Sequence, residues 1–161
     1  MSQQTSYSLY HGRAVTGMLF GNSPKDISTG AVEDAAGIKV GLAVTYGTGD
    51  NQVKLLTGGS DVILGATILS QEYEINYADL GTGDFTVAQN DMVSVLREGY
   101  IYLTCEEAVA KGETVFARHT AGTGSVIGAV RNDADTASCT DTGWTFEETT
   151  SGAGLALVRV K

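Results

Sequence analysis

Apolar and polar residues alternate over short stretches along most of the chain, and glycine-containing turns separate the stretches. Residues 38–44 carry an apolar side chain at every second position, which predicts a strand with one buried face. Residues 62–68 are apolar almost throughout, which is typical of a strand buried on both faces, and residues 155–160 predict a buried final strand. We count about nine to eleven such stretches with turns about every 8–12 residues, which predicts an all-β fold, either a β-sandwich or a barrel.

The strongest local pattern lies at residues 93–103. Two β-rich runs are joined there by three residues that end in Gly99, which predicts a hairpin with this glycine in the left-handed position of a bulge. On the second run Ile101 and its alternate neighbours share one face, and Tyr100 and Tyr102 share the other. Because both faces carry apolar groups, we expect this strand to lie inside the fold or against a partner.

Three further stretches receive less regular predictions. Residues 106–112 are consistent with a short helical turn that ends at Gly112. Residues 125–130 predict a strand, and the polar residues 132–143 predict a loop.

The N-terminal residues 1–30 differ from the rest because they mix polar and apolar groups without a helical or sustained alternating period. The only proline, Pro24, follows a Gly-Asn-Ser run, and this cluster predicts a turn or an extended bend. We therefore expect an extended N-terminal arm at residues 1–30 and a single β-sandwich domain at residues 31–161. The apolar side chains of the arm need a cover, from the protein's own body or from a neighbour.

The amino-acid composition and the net charge limit which classes of partner we expect the protein to bind. The 21 glycines suit a chain with many tight turns, and the net charge of −9 comes from 19 acidic against 10 basic residues. An acidic protein disfavours nucleic acid, whose affinity comes from Lys and Arg contacts to phosphate. The charge either keeps the protein soluble or meets a basic protein partner. No apolar run reaches the length of about 18 residues that a membrane span needs, and the first residues lack a secretory signal, so we expect no membrane partner and synthesis in the cytoplasm.

Groups that support catalysis or hold a metal are few. Two histidines, His11 and His119, and two cysteines, Cys105 and Cys139, lack the spacing of a zinc site. Cys105 lies on the apolar side of its strand, where a small buried hydrophobic residue is the ordinary interpretation, and a Cys–His nucleophile pair is the alternative. The glycine-rich residues 122–128 lack the Lys-Ser or Lys-Thr pair of a phosphate-binding loop and predict a hairpin turn. We expect no catalytic residue, no cofactor and no metal.

Two alternatives stay open in the following loop. Asp133, Asp135 and Asp141 resemble the start of a calcium-binding loop, although the later positions do not follow the pattern, so they form either a solvated acidic loop or a weak cation site. Trp144 and Phe146 either fill the core or form a platform for a carbohydrate.

Taken in chain order, several stretches resemble the structural cement proteins of tailed bacteriophages. They are residues 17–27 with G-x-x-P-x-D-I, residues 41–55 with G-x-A-V-x-x-G-T and Q-V-K-L, residues 64–66, residues 93–116 with V-S-V-L-R-x-G and E-A-V, and the closing strand at residues 154–160. The resemblance covers most of the chain, and residues 132–150 lie outside the pattern.

This resemblance implies a β-sandwich of jelly-roll type that lies on the outer capsid surface, across seams between subunits of the major capsid protein. The expected partners are the major capsid protein and further copies of the chain, as a dimer or trimer, in a virion assembled from protein made in the bacterial cytoplasm. A carbohydrate-binding or tail-fibre-type β-domain is the alternative, and a hydrolase with a hidden carboxylate pair is a third possibility.

We expect the arm to carry the contacts with the capsid. The candidate residues are Tyr7, Leu9, Tyr10, Met18, Leu19, Phe20, Pro24 and Ile27. Strand addition to a neighbour's sheet is one mode of contact, and packing of the arm on its own body is the competing interpretation.

Overall fold

The computed structural model describes residues 14–70 and 85–161, and every regular element within them is a β-strand. The strands are β1 (Asp26–Val32), β2 (Ile38–Lys39), β3 (Ala43–Tyr46), β4 (Gln52–Leu55), β5 (Ile63–Thr67), β6 (Thr86–Val87), β7 (Met92–Cys105), β8 (Thr114–Arg118), β9 (Val130–Arg131), β10 (Cys139–Phe146) and β11 (Gly154–Val160). The prediction of an all-β fold is confirmed. In the described part of the chain, no helix is long and apolar enough to cross a membrane.

Two barrels share strand β7. The order β1-β4-β3-β5-β7 closes on itself because β1 also pairs with β7. From β7 the order continues through β11, β10, β8 and β9, and closes again because β9 also pairs with β7. We call these five-stranded rings the first and the second barrel. Of the two predicted architectures, the barrel is therefore the one observed, and β2 and β6 form a separate two-stranded ribbon.

Each barrel has its own hydrophobic core. A valine-rich cluster fills the first, and it comprises Val32, Ile38, Val40, Val44, Val53, Val87, Val93 and Val95. The larger cluster of the second barrel includes Leu103, Val115 and Phe146. Ala66 and Leu96, which pair between β5 and β7, also belong to this larger cluster. Because side chains alternate between the two faces of a strand, the side chains of β5 and β7 that point out of the first barrel pack against the second barrel.

The predicted hairpin at residues 93–103 is wrong, because β7 is one strand of 14 residues. Its first half pairs with β1 and β5, and its second half, Gly99–Cys105, pairs with β11. A register shift between Asp26 and Ile27 on β1 marks a bulge, which lies where the two halves meet. Gly99 has φ +137°, so it lies outside the left-handed helical region that the predicted turn required. Gly99 thus lies where β7 changes pairing partners, and the chain does not reverse direction there.

The single strand predicted at residues 38–44 is divided into β2 and β3. Gly41 has φ +78°, and a Cβ on it would collide with the side chain of Thr16. The apolar side chains before and after this turn are all buried. For that reason the sequence alternates through the turn as a single strand would. The strands predicted at residues 62–68 and 155–160 are confirmed as β5 and β11.

Three further predictions need correction. Residues 106–112 contain no helical turn, and the Glu113 amide donates to the Ala110 carbonyl in a β-turn. Of residues 125–130 only Val130 lies in a strand, because Gly128, with φ +86°, packs against the Ala43 backbone. The predicted loop at residues 132–143 contains the start of β10, whose first residues pair with β8.

Candidate functional site

The described part of the arm is built into the wall of β7. The amides of Gly17 and Phe20 donate to the carbonyls of Tyr102 and Tyr100, at 2.8 and 2.9 Å, and the Tyr102 amide donates to Met18 at 2.9 Å. Leu19 forms a β-bridge with Ile101. These hydrogen bonds satisfy backbone N–H and C=O groups along one edge of β7 that would otherwise lack partners.

The side chains of this segment divide between the core and the surface. Leu19 packs against the core of the second barrel. Phe20 contacts Tyr102 edge to face, with ring centroids 5.8 Å apart and an interplanar angle of 83°. Met18 and Phe20 nevertheless remain 40% and 48% exposed. The segment is therefore fixed by its backbone and presents apolar side chains outward.

The other candidate contact residues lie elsewhere. Pro24 belongs to the exposed segment 21–25 between this part of the arm and β1, and Ile27 lies on β1 with 41% exposure. Tyr7, Leu9 and Tyr10 lie outside the described residues. The structure thus brings Met18, Leu19 and Phe20 together along β7 and leaves Pro24 and Ile27 apart, and their role in binding stays a prediction. The division between arm and domain also stays a prediction, since β1 runs across it.

A buried ion cluster, which the sequence analysis missed, closes one end of the second barrel. Arg118 at the end of β8 is only 3% exposed and donates to both oxygens of Glu106, and its Nη2 donates to Asp135 at 2.6 Å. Arg131 on β9 lies 3.0 Å from Glu107 and 2.7 Å from Asp133.

This cluster changes the protonation equilibria of its members. The hydrogen bond from Arg118 holds the pKa of Asp135 below its usual range. The pKa of Arg118 is raised, first by its hydrogen bonds with Glu106. A buried arginine with several carboxylate partners is a costly arrangement that holds only while every charge has its partner.

The loop that resembled a calcium site belongs to this cluster. Asp133 and Asp135 face arginines, and Asp141 accepts a hydrogen bond from the Gly143 amide at 2.8 Å. Residues 135–137 all have positive φ, between 40° and 67°, which forms a left-handed turn without glycine. No group of three or more metal-ligating side chains occurs in residues 14–70 and 85–161. Two of the three candidate cation ligands, Asp133 and Asp135, are thus engaged by arginines.

Most of the groups considered for catalysis or sugar binding are buried, and His119 is partly exposed. Trp144 is 3% exposed and Phe146 is fully buried, so their rings cannot form a carbohydrate platform at the surface. Cys105 donates from Sγ to the Gly154 carbonyl at 2.9 Å. Burial raises the pKa of Cys139 to about 11. His119 contacts its neighbour Thr120, with Nδ1 3.0 Å from the hydroxyl oxygen.

A cleft of about 420 Å³ opens beside the arm, between Thr16, Leu42 and Val126. The ionisable side chains that line it in the described part of the chain are Lys39, Cys105 and Glu106. Glu106 is already engaged by Arg118, and Cys105 by the Gly154 carbonyl. Two of these three ionisable groups are therefore held in structural contacts.

Comparison with known proteins decides the family. The model of the family described as structural cement protein (E217 gp24/Pam3 gp6) matches residues 3–161. The chain belongs to the structural cement protein family. A solved chain from the capsid of Myoviridae phage XM1 resembles this cement protein with a TM-score of 0.75 and 17% identity, over 100% of this chain and 98% of the other. That likeness shows a shared fold.

No curated protein matches this cement protein. The family match confirms the predicted resemblance and the prediction of a capsid-binding structural protein that stabilises the phage particle.

Proposed function

We propose that the protein binds the outer surface of the phage capsid and cements contacts between subunits of the major capsid protein, in a virion assembled from protein made in the bacterial cytoplasm. Membership of the cement family supports the general role. The observation that carries the mode of binding is the arm segment, whose backbone is fixed to β7 while Met18 and Phe20 remain about half exposed.

The stabilising effect follows from mass action. A protein that binds the assembled lattice in preference to free subunits shifts the equilibrium toward the lattice. A stable specific interface buries about 1,200–2,000 Å² in total, and many copies on one lattice combine their individual contributions. A rigid barrel is suited to this task because little conformational entropy is lost when it binds.

We infer that this role is mechanical and not catalytic. Support comes from three side chains considered for catalysis: Glu106 is engaged in the ion cluster, and Cys105 and Cys139 are buried. The partners that we propose exclude nucleic acid, because the protein carries a net charge of −9.

We also propose that copies associate with one another as a dimer or a trimer. Exposed apolar side chains away from the arm, such as Tyr46 and Val62, offer contact area for neighbouring copies. Analytical ultracentrifugation over a range of concentrations tests this proposal, and a strictly monomeric protein at all concentrations would contradict it.

Reconstitution tests the main proposal. Phage heads that lack the protein are mixed with increasing amounts of it, sedimented and analysed for copies per head and for resistance to heating. We expect saturable binding at a fixed copy number and a higher temperature of head disruption. An acidic β-protein of similar size is the control, and binding that fails to saturate, or no binding, would refute the proposal.

A further inference from the structure

The second barrel has an outward face that the core does not use. On β7, Ile101 and Leu103 point into the core and are fully buried, so Tyr100 and Tyr102 lie on the opposite side of the strand. The register with β11 places Leu157 beside Tyr102 and Arg159 beside Tyr100. The arm lies along β7 as well, through its bonds to the two tyrosines.

Together these residues form a continuous surface, which we call the outer wall. It comprises Met18, Phe20, Tyr100, Tyr102, Leu157 and Arg159. Tyr102 is only 9% exposed and supports the Phe20 ring. An antiparallel sheet face in contact with water is normally polar, whereas the outer wall is apolar or aromatic apart from Arg159. Polar groups border it on the same face, namely Thr104, Thr145 and Glu147. Tyr, Phe, Met and Arg are the residues enriched at the centres of protein interfaces.

Contacts within the outer wall hold its large side chains in place before binding. The Phe20 ring rests against Tyr102, and the guanidinium carbon of Arg159 lies 5.9 Å from the centroid of the Tyr100 ring. Anchors that are already ordered lose less entropy when a partner arrives. Such aromatic and arginine anchors contribute most of the binding energy in many interfaces.

Charge indicates which partner covers the outer wall. Each copy of this chain carries a net charge of −9, which disfavours burial of this face against a second copy, and the contacts between copies proposed above lie away from the arm. The wall itself carries one charged side chain, Arg159, and its other members are apolar or aromatic. A complementary surface is therefore apolar and weakly charged, and it belongs to a protein other than a second copy.

We propose that the outer wall is the surface through which the protein binds the capsid, and that the capsid protein presents an apolar, weakly charged patch to it. This inference rests on the proposed function, and it adds the site and the chemistry of the partner. It also assigns the affinity to apolar burial, so the acidic remainder of the surface contributes little to binding.

The test is co-sedimentation of the wild-type protein and two single variants, Phe20→Ser and Leu157→Ser, with phage heads that lack the protein. We expect each variant to bind about tenfold more weakly or worse, as for the loss of an interface anchor. Wild-type affinity should change less than about threefold between about 50 and about 500 mM salt, because apolar contacts are not screened.

Matched control variants distinguish the loss of outer-wall contacts from a general loss of exposed apolar surface. Met92→Ser and Val126→Ser remove side chains that are 54% and 44% exposed and lie off the outer wall, so they should bind as the wild type does. Circular dichroism and the urea midpoint establish that each variant is folded. The two wall variants are tested independently. If one of them does not fold, the binding of the other still decides the proposal.

Four results would overturn the proposal. Wild-type binding by both wall variants, or a steep loss of affinity with salt, would remove it while the proposed function stands. A dimer seen by light scattering that Leu157→Ser abolishes would assign the wall to a second copy. If the wild-type protein does not bind heads at all, the proposed function fails, and this inference fails with it.

Discussion

Arg118 and Glu106 form a two-point ion pair: Nε donates to Oε1 at 2.8 Å and Nη2 donates to Oε2 at 2.6 Å. Glu106 follows β7, and Arg118 is the last residue of β8, so the pair joins two elements of the second barrel near the point where β9 closes it. The side chains are 3% and 17% exposed, which removes most of the solvent screening that weakens surface pairs.

Substitution Arg118→Met should reduce the free energy of unfolding by about 3 kcal/mol, because it leaves buried carboxylates without their counter-charge. Urea denaturation at neutral pH measures the change. Arg97→Met is the control, since Arg97 is 47% exposed and lies 3.9 Å from Asp26, and it should change stability by less than about 0.5 kcal/mol. Equal effects of the two substitutions would contradict this account of the cluster.

Stability should fall in acid. The hydrogen bond from Arg118 lowers the pKa of Asp135, and backbone amides do the same for Glu33, Asp61 and Glu113, through Thr48, Thr57 and Ala110 respectively. A carboxyl group with a lowered pKa in the folded state stabilises the fold fully above its unfolded pKa of about 4, and this contribution is lost as the pH falls through the folded value.

The urea midpoint measured from neutral pH down to about pH 3 checks this expectation. Asp135→Asn should lower stability at neutral pH and flatten the acid limb of the curve. Asp50→Asn, at an exposed position, is the control and should leave the limb unchanged. An acid limb of identical slope in both variants would show that Asp135 is not linked to folding.

Gly65→Ala should destabilise the first barrel by about 2 kcal/mol, because a Cβ at this position would collide with the Leu96 carbonyl and force β5 away from β7. Thermal unfolding followed by circular dichroism measures the shift. Gly152→Ala is the matched control, since a Cβ there meets nothing and the φ angle is ordinary. A tolerated Gly65→Ala would mean that the two strands can separate without cost.

Both cysteines should be unreactive in the folded protein. Cys105 and Cys139 are buried, which keeps reagents away from both thiols. The pKa of Cys139 is also raised to about 11, so little of its thiolate exists near neutral pH. A thiol-specific chromogenic reagent should label neither residue within minutes in buffer and both in concentrated urea. Rapid labelling of one thiol without denaturant would show that its side of the barrel opens readily.

The sequence predicted β5 and β11 because their signal is local. Alternation and apolar runs indicated β5 and β11, whose burial depends on the strand period alone. The hairpin at residues 93–103 failed because Arg97-Glu98-Gly99 has the composition of a turn, whereas pairing with β1 and β11 keeps the chain extended there. That pairing is set by distant strands, which a local pattern does not contain.

The candidate site was predicted in part for the same reason. The sequence placed Tyr100 and Tyr102 together on one face of a strand expected inside the fold or against a partner, since alternation on one strand gives this directly. Leu157 and Arg159 joined that face only through the register between β7 and β11. The aspartates of residues 133–141 suggested a cation because the arginines opposite them lie on other strands.

Strand β7 belongs to both barrels, and this has a mechanical consequence. Neither barrel can turn or slide relative to the other unless the ladders along β7 break. A load directed along that strand is divided among hydrogen bonds strained side by side, whereas a peeling load would open them one after another. A clamp of this build would resist the outward stretching of a filled shell most strongly when β7 lies along the direction of the tension.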